Sequence, residues 1–273
     1  MKSVPDQHFE NFLKTNITSS FSFSHVTGRE ISDIIGNMKN KNSQGHDNIS
    51  NRLMKKISPA IVYPLSVIVN QSLYLGKFPD SLKIAKVIPI YKKSEFDKFE
   101  NYRPISILPS LSKIFEKVVH KQILKYFTDN DLFMQSQHGF RPNFSTETVA
   151  IEFVDRIKIK IDNGHVPLSI FMDLSKAFDT INHEILLTKL KFYGLDFSSL
   201  SWFTSYISNR KQYVSYEDED SSMEYLSIGV PQGSILGPLL FLIYVNNIQF
   251  ISDKFILICF ADDTHSFYHF VFI

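Results

Sequence analysis

Residues 255–264 read FILICFADDT, an apolar run that ends at two adjacent carboxylates, Asp262 and Asp263. Six consecutive apolar residues are typical of a buried strand, and a second apolar run begins at Phe267, so the stretch predicts a hairpin with two negative charges at its tip. Neighbouring carboxylates repel each other, and a bound cation relieves that repulsion. Asp is also among the commonest turn residues, and taken alone the pair is more typical of a plain turn.

The bulk composition predicts a globular, intracellular chain. Its 273 residues, 44% of them apolar, suffice for one large or two modest domains with a real core. Cys259 is the single cysteine, so no intramolecular disulfide can form, and we expect a reducing, intracellular setting in either nucleus or cytoplasm. The first residues lack the apolar core of a signal peptide, and the longest apolar block, 234–245, is shorter than the roughly 20 residues that span a bilayer. We therefore expect no membrane span.

Positive charge is concentrated in one part of the chain. The net charge of +1 favours no particular partner. Between 81 and 127, however, ten Lys or Arg residues stand against four acids, an excess suited to phosphates. A solvated helix face explains Lys113, Lys117, Lys121 and Lys125 equally well, because they repeat every four residues.

The first eighty residues predict a helical extension without evident chemistry. Thr27 and Glu30 form a capping pair ahead of an apolar stripe, so a helix is expected to begin there. A second helix is expected over about 51–57 and a third over 61–75, closed by Gly76. We assign this extension to residues 1–80 and the next unit to residues 81–273.

The second unit mixes strands and helices, which predicts an α+β fold. Pro104 and Pro109 argue against a helix over residues 101–109. In chain order we expect a strand at 84–91, an extended segment at 101–109, a helix capped by Ser110, a helix at about 145–161, a strand at 167–174, helices at 182–193 and 198–208, a hairpin of 211–216 with 223–228, and an apolar helix capped by Ser234.

Three features of this unit are candidates for chemistry. They are the strand that ends at Asp173, the bend at Pro231-Gln232-Gly233, and the Asp262-Asp263 tip. Asp173 is embedded in apolar neighbours, and a buried carboxylate needs a metal or a hydrogen-bond donor as partner. Three carboxylates at neighbouring strand ends can hold two Mg²⁺ ions for in-line phosphoryl transfer.

In this order, the features resemble the reverse transcriptase domain of non-long-terminal-repeat retrotransposons, particularly the jockey-like elements of animal genomes. Seven ordered motifs carry the resemblance, which covers about 21–264. They are VIPIYKK (87–93), NYRPIS (101–106), SKIFEK (112–117), QHGFR (137–141), FMDLSKAFD (171–179), GVPQGS (229–234) and FADD (260–263).

The resemblance implies a right-hand polymerase, with fingers built mostly from about 81–166 and a palm sheet that carries the acids. By this likeness Asp173 and Asp262 are metal ligands, with Asp263 in support and the Leu174 carbonyl facing a metal. The implied cofactor is a pair of Mg²⁺ ions, with Mn²⁺ as a substitute. The implied partners are an RNA template, a DNA primer and a deoxynucleoside triphosphate.

The resemblance also implies a nucleotide-binding set. Phe178 matches a steric gate that excludes a ribose 2′-hydroxyl, Gln232 and Gly233 lie along the nucleotide and template, and Arg103 grips the triphosphate with help from Lys92 or Lys93. Considered without the resemblance, Phe178 is equally well a core residue and Arg103 a surface residue. Arg141 binds template phosphate or nothing, and His138 is structural rather than catalytic.

The sequence departs from the family pattern after Thr264. Only nine residues follow, so we expect an incomplete palm, no thumb and no endonuclease domain ahead of the motifs. Two functional hypotheses stay open: an RNA-directed DNA polymerase fragment that transfers nucleotides from dNTP to a primer 3′-hydroxyl, and a catalytically inactive remnant of a mobile element. We expect the 273-residue chain alone to extend a primer poorly or not at all.

Overall fold

Helices and strands both occur along the chain. The computed structural model describes Leu13, Ile17 and residues 19–93, 95–174, 176–217, 219–250 and 256–270. The side chains of Ile256 and of residues 263–270 are not part of that description. The helices are α1 (Gly28–Gly36), α2 (Asn51–Leu75), α3 (Ser110–Asp129), α4 (Thr146–Asp162), α5 (His183–Phe192), α6 (Phe197–Ile207) and α7 (Leu236–Val245). The strands are β1 (Ile84–Tyr91), β2 (Tyr102–Ile107), β3 (Val166–Asp173), β4 (Arg210–Tyr216), β5 (Glu219–Asp220), β6 (Glu224–Leu226), β7 (Ile256–Phe260) and β8 (Asp263–Phe270). The expected mixture of helices and sheets is confirmed.

The first sheet has the strand order β2-β1-β4-β5, with β6 also paired to β4. β1 and β2 are antiparallel, and Ile90 lies opposite Arg103. β1 and β4 are parallel. The long connection over residues 92–209 provides the crossover that parallel strands require. β4 and β6 pair antiparallel, as the predicted hairpin requires, with Arg210 opposite Leu226.

The second sheet has the order β3-β8-β7 and is antiparallel throughout. The predicted hairpin of β7 and β8 is present, whereas Phe255 and residues 271–273, which the prediction included, lie outside the described residues. Helix α4 covers this sheet, since Val149, Phe153 and Ile157 pack against Ile258 and Phe260.

The main core lies between the helices. Trp202 is its centre: the ring stacks on Tyr206, meets Phe78 edge-on, and donates from Nε1 to Ser72 Oγ at 3.0 Å. Buried residues of α1 and α2 belong to the same cluster as those of α3, α5, α6 and α7. The helices before residue 80 therefore share a core with the rest of the chain, and the boundary at 80 stays a prediction.

Helix α2 corrects the prediction of two separate helices. It runs unbroken from Asn51 to Leu75 although Pro59 and Pro64 lie inside it. Each proline removes a backbone hydrogen bond. The burial of Met54, Leu65 and other residues along one face of the helix offsets this loss, and Gly76 ends the helix in the left-handed conformation as expected.

One predicted cap is wrong. Ser110 is the first residue of α3 rather than its cap, and its hydroxyl bonds instead to Ile49 O and Asn51 Oδ1. Ser234 lies two residues before α7, and its Oγ accepts from Gly237 N at 3.0 Å, which is the hydrogen bond expected of a capping serine. The first amide groups of α7 are satisfied from another helix, as described below.

None of the described helices combines the length and apolar character that a membrane crossing requires.

Candidate active site

The hairpin turn brings two of the predicted carboxylates to one end of the second sheet. Phe260 pairs with Asp263, which leaves Ala261 and Asp262 as the turn. Asp262 is half-buried in the turn, and Asp263 is the first residue of β8 rather than part of the tip. Ala261 has φ = 57°, a left-handed conformation that is uncommon for residues with a side chain.

The register of β3 and β8 adds the third carboxylate residue. Asp173, the last residue of β3, lies opposite Asp263. Directly opposed residues of antiparallel strands have Cα atoms about 4.5–5.5 Å apart. Asp173, Asp262 and Asp263 therefore meet at one sheet end although 89 positions separate Asp173 from Asp262 in the sequence.

The expectation that Asp173 is buried is wrong. Asp173 and Leu174 are exposed, and so are Phe171 and Met172. The apolar sequence of β3 suggested a central strand, but β3 is an edge strand of its sheet. An exposed carboxylate needs no buried partner, and it stays accessible to a ligand.

The donor set suits a hard divalent cation, because carboxylate oxygens are the ligands that Mg²⁺ prefers. Asp173 and Asp262 supply two such side chains, and the Leu174 carbonyl is next in sequence to Asp173. Among the side chains that the structure describes, no cluster of three His, Cys, Asp or Glu residues forms a metal site. The side chain of Asp263 is outside the described residues, so that finding covers only Asp173 and Asp262 of the three predicted carboxylates.

The bend at 229–233 is tied to the segment that follows β3. Val230 N donates to Phe178 O at 2.9 Å, and Gly229 N donates to Ile181 O at 2.8 Å. A Cβ atom on Gly229 would lie 2.7 Å from Asp179 O, so only glycine allows this approach. The bend is therefore in direct contact with the segment that follows Asp173, which joins the first and second features of the predicted site.

Gln232 is held from two sides. Its Nε2 donates to both carboxylate oxygens of Asp179, at 3.0 and 3.1 Å. Its backbone oxygen accepts from Ser106 N of β2 at 2.7 Å. Gly233, with φ = 121°, lies so close to Ser106 that a Cβ atom would be 2.6 Å from the Ser106 carbonyl oxygen.

Phe178 is half-buried between two aromatic rings. Its ring centroid lies 5.2 Å from that of Phe241 in α7 and 6.1 Å from that of Phe140. Phe241 is buried, whereas Phe140 is 49% exposed. Phe178 therefore packs against the core on one side and borders the surface on the other.

The predicted basic residues lie on the first sheet. Arg103, Lys92 and Lys93 are exposed, and Lys92 N donates to Asn101 O at 2.8 Å, which extends the pairing of β1 with β2. Ser106, which contacts the bend, is three residues from Arg103 on the same strand. Among the contacts that the structure describes, none joins these three basic side chains to Asp173 or Asp262.

Two other residues of the family motifs make contacts within the protein. The Arg141 guanidinium donates to Met134 O at 2.9 Å and Gln137 O at 3.1 Å, and it packs on the Phe144 ring. His138 is buried, in agreement with the prediction that it is structural. Its two ring nitrogens lie 3.0 Å from Thr148 Oγ1 and 2.7 Å from Glu152 Oε2.

Sequence reasoning missed Glu116, a carboxylate inside the core. Its Oε2 accepts from the backbone N of Ile235 at 2.6 Å and of Leu236 at 3.3 Å, and its Oε1 accepts from Ser112 Oγ at 2.8 Å. Glu116 thereby satisfies the first amides of α7, just after the bend. Burial raises the pKa of Glu116, and the positive charge of Arg210 opposes that rise. The available signal was its place on the apolar face of α3.

Sequence reasoning also missed Asp179, the last residue of the FMDLSKAFD motif. Its role depends on Gln232, which is 53 positions away, and no local pattern connects the two.

Comparison with known proteins gives a match over the region that contains most of these motifs. The family model described as "Reverse transcriptase (RNA-dependent DNA polymerase)" matches residues 90–269, about two thirds of the chain. The chain belongs to this reverse transcriptase family. The matched region contains β2, β4, β5 and β6 of the first sheet, the whole of β3, and the Asp262-Asp263 turn.

Three of the curated relatives to which the reverse transcriptase chain is similar are proteins of fly mobile elements. It is 30% identical over 266 residues to the "RNA-directed DNA polymerase from mobile element jockey" of Drosophila melanogaster, which covers 93% of the chain and 29% of that protein. The Drosophila funebris protein of the same name is 30% identical over 234 residues, with 85% and 25% covered. The "Probable RNA-directed DNA polymerase from transposon BS" of Drosophila melanogaster is 29% identical over 265 residues, with 92% and 28% covered. The chain thus spans less than a third of the length of these relatives.

Proposed function

We propose that this chain carries the nucleotidyl-transfer site of an RNA-directed DNA polymerase, with Asp173, Asp262 and Asp263 as its catalytic carboxylates. The observation that carries the proposal is the register of the second sheet, which aligns Asp173 with the Asp262-Asp263 turn. Asp173 and Asp262 are the proposed metal ligands, Asp263 supports them, and the Leu174 carbonyl completes the set. The second sheet is then part of the palm, and the first sheet belongs to the fingers.

Bound by these carboxylates, two Mg²⁺ ions supply activation of the primer 3′-hydroxyl and stabilisation of the leaving pyrophosphate oxygen. The chain's own contribution is positioning. The sheet register fixes the separation of the two strand ends, and the exposure of Asp173 leaves room for the triphosphate beside it.

The bend and Phe178 form the proposed nucleotide pocket. Phe178 is wedged against Phe241, so its ring is held in place where a ribose 2′-hydroxyl would collide with it. Gln232 and Gly233 are the residues proposed to lie along the nucleotide and template. Their attachment to Asp179 and Ser106 fixes the bend before substrate arrives.

Arg103 and Lys92 are the proposed triphosphate ligands from the first sheet. Arg103 lies opposite Ile90, and residues two apart along a strand share a face. Because Lys92 N continues the ladder to Asn101 O, Lys92 falls on the face of Arg103 and Lys93 on the other face. This alternation favours Lys92 over Lys93 as the partner of Arg103.

The proposed substrates are an RNA template, a DNA primer and dNTP, in agreement with the names of the fly relatives, and the proposed setting is intracellular. The test is single-turnover addition of one complementary dNTP, with the chain in excess over a DNA primer annealed to RNA. Because the chain alone is expected to extend a primer poorly, we expect slow, Mg²⁺-dependent addition of this single nucleotide. Asp262→Asn should abolish the addition, and Asp33→Asn, at an exposed carboxylate of α1, should leave it unchanged.

Addition that survives Asp262→Asn would contradict the assigned site. A folded chain that binds Mn²⁺ but adds no nucleotide would favour the alternative of an inactive remnant.

A further inference from the structure

The segment 136–139 runs alongside β7 next to the catalytic turn. Cys259 N donates to Ser136 O and His138 N donates to Cys259 O, both at 2.8 Å, which makes a short parallel bridge between Gln137 and Cys259. β7 is an edge strand of its own sheet, so this bridge supplies a neighbour on its other side. The segment thereby reaches the turn that carries Asp262.

The side chain of Gln137 binds both backbone groups of Ala261. Its Oε1 accepts from Ala261 N at 2.9 Å and from Gly139 N at 2.8 Å, and its Nε2 donates to Ala261 O at 3.3 Å. Gln137 is 3% exposed, so water does not compete for these groups. A carboxamide suits this task because it presents an acceptor and a donor at the same time.

Ala261 needs an external constraint. Its φ of 57° lies in the left-handed region, which is unfavourable for a residue with a Cβ atom. Gly139 packs so closely on it that a Cβ atom at 139 would lie 2.1 Å from Ala261 N. The turn and the segment are therefore fitted to each other, and a conformation that Ala261 does not favour is held by contacts from outside the hairpin.

The segment is itself braced. His138 is buried between Thr148 and Glu152 of α4, and Arg141 donates to the carbonyl oxygen of Gln137. These contacts restrict the backbone at 137 and so give the amide side chain a fixed origin.

We propose that Gln137 is a positioning residue of the polymerase site, which fixes the backbone of Ala261 and through it the direction of Asp262 towards the metal. The inference rests on the metal site of the proposed function. Groups that orient a metal ligand typically contribute about 10–100-fold to metal affinity. Loss of the Gln137 amide should therefore weaken metal binding without removing a ligand.

The experiment is a Mn²⁺ titration of the full chain, read by electron paramagnetic resonance, for Gln137→Met and Gln137→Asn. Met fills the space without hydrogen bonds, and Asn keeps the amide but falls one methylene short. The matched control is Gln122→Met, because Gln122 makes the same two-way contact with a backbone, that of Ser24, on the surface of α3 away from the turn. We expect a loss of about tenfold or more in Mn²⁺ affinity for both Gln137 variants and none for the control.

Hydrogen exchange of the Ala261 amide gives a second readout that does not depend on metal. Exchange should accelerate at Ala261 in Gln137→Met and stay unchanged in Gln122→Met. Unchanged Mn²⁺ affinity in folded Gln137 variants, in a chain whose affinity falls on Asp262→Asn, would overturn this inference and leave the proposed function standing. A parent chain that binds no Mn²⁺ at all would overturn both.

Discussion

Removal of the buried Glu116 side chain should destabilise the protein more than removal of an exposed carboxylate does. Glu116 is fully buried and accepts three hydrogen bonds, two of them from the first amides of α7. Glu116→Ala leaves those amides without an acceptor and leaves the Arg210 charge in the core without its carboxylate. Glu116→Gln keeps one acceptor oxygen and the volume, and removes only the charge.

The expected magnitudes follow from these contacts. Leaving a buried donor without its acceptor costs about 1–3 kcal/mol, and Glu116→Ala does this to two backbone amides. The charge of the buried Arg210 also loses the nearby carboxylate that opposes it, so we expect Glu116→Ala to lower the free energy of unfolding by about 3–5 kcal/mol. A hydrogen bond to a charged group contributes about 1.5–3 kcal/mol and a neutral one about 0.5–1.5 kcal/mol, so Glu116→Gln should cost about 1–2 kcal/mol.

The pH dependence has a defined sign. Burial raises the pKa of Glu116 above its usual 4.5, so the folded state holds this proton more tightly than the unfolded state does. Its contribution to stability is full below pH 4.5 and is lost as the pH rises through the raised folded-state pKa. Glu116→Gln has no such proton, so its penalty relative to the parent should shrink as the pH rises above 4.5.

The assay is urea unfolding followed by the fluorescence of Trp202, the single tryptophan, which is buried in the main core. The matched control is Glu30→Gln, since Glu30 also accepts from a backbone amide, that of Thr27, but at the surface of α1. We expect the control to cost about 1 kcal/mol or less. A loss below 1 kcal/mol for Glu116→Ala, or a Glu116→Gln penalty that grows with pH, would refute this reasoning.

Three further predictions concern other described contacts. Asp179→Ala removes the acceptor of the Gln232 amide, so the KM for dNTP should rise several-fold while Mn²⁺ affinity stays constant. An unchanged KM would contradict the proposal that Asp179 positions Gln232 for the nucleotide. Phe178→Ala should admit ribonucleotides, seen as a fall in the dNTP-to-rNTP ratio of kcat/KM, and an unchanged ratio would make Phe178 a core residue only. Burial lowers the pKa of Lys189 to about 8, so the parent should gain stability over Lys189→Met as the pH rises from about 8 towards 10.5 in urea unfolding; a flat difference contradicts this.

Local patterns predicted the elements well where the signal is local. The Thr27–Glu30 capping box, the bounds of β1 and the apolar face of α3 follow from periodicity and capping chemistry, and the structure has all of them. The prediction failed at α2, where two helices were expected, because residues buried on both sides of Pro59 keep the helix continuous although the prolines remove backbone hydrogen bonds. It failed for Asp173 because an apolar strand sequence does not distinguish a central strand from an edge strand.

The site was predictable as a set of motifs but not as a set of contacts. The order of the motifs identified Asp173, Gln232 and Asp262 as belonging together. Glu116 with α7 and Gln137 with Ala261 were out of reach, because each contact joins segments more than a hundred positions apart and is made by a polar side chain inside the protein. Hydrogen bonds of this kind depend on the packed structure, and no periodicity in the sequence records them.

The measurement that tests the central claim most directly is a Mn²⁺ titration of the full chain with one carboxylate changed at a time. If Asp173 and Asp262 share a metal site at the sheet end, Asp173→Asn and Asp262→Asn should each weaken Mn²⁺ binding by at least about tenfold, and Asp33→Asn should leave it unchanged. Equal Mn²⁺ affinity in the parent, Asp173→Asn and Asp262→Asn would contradict a shared site.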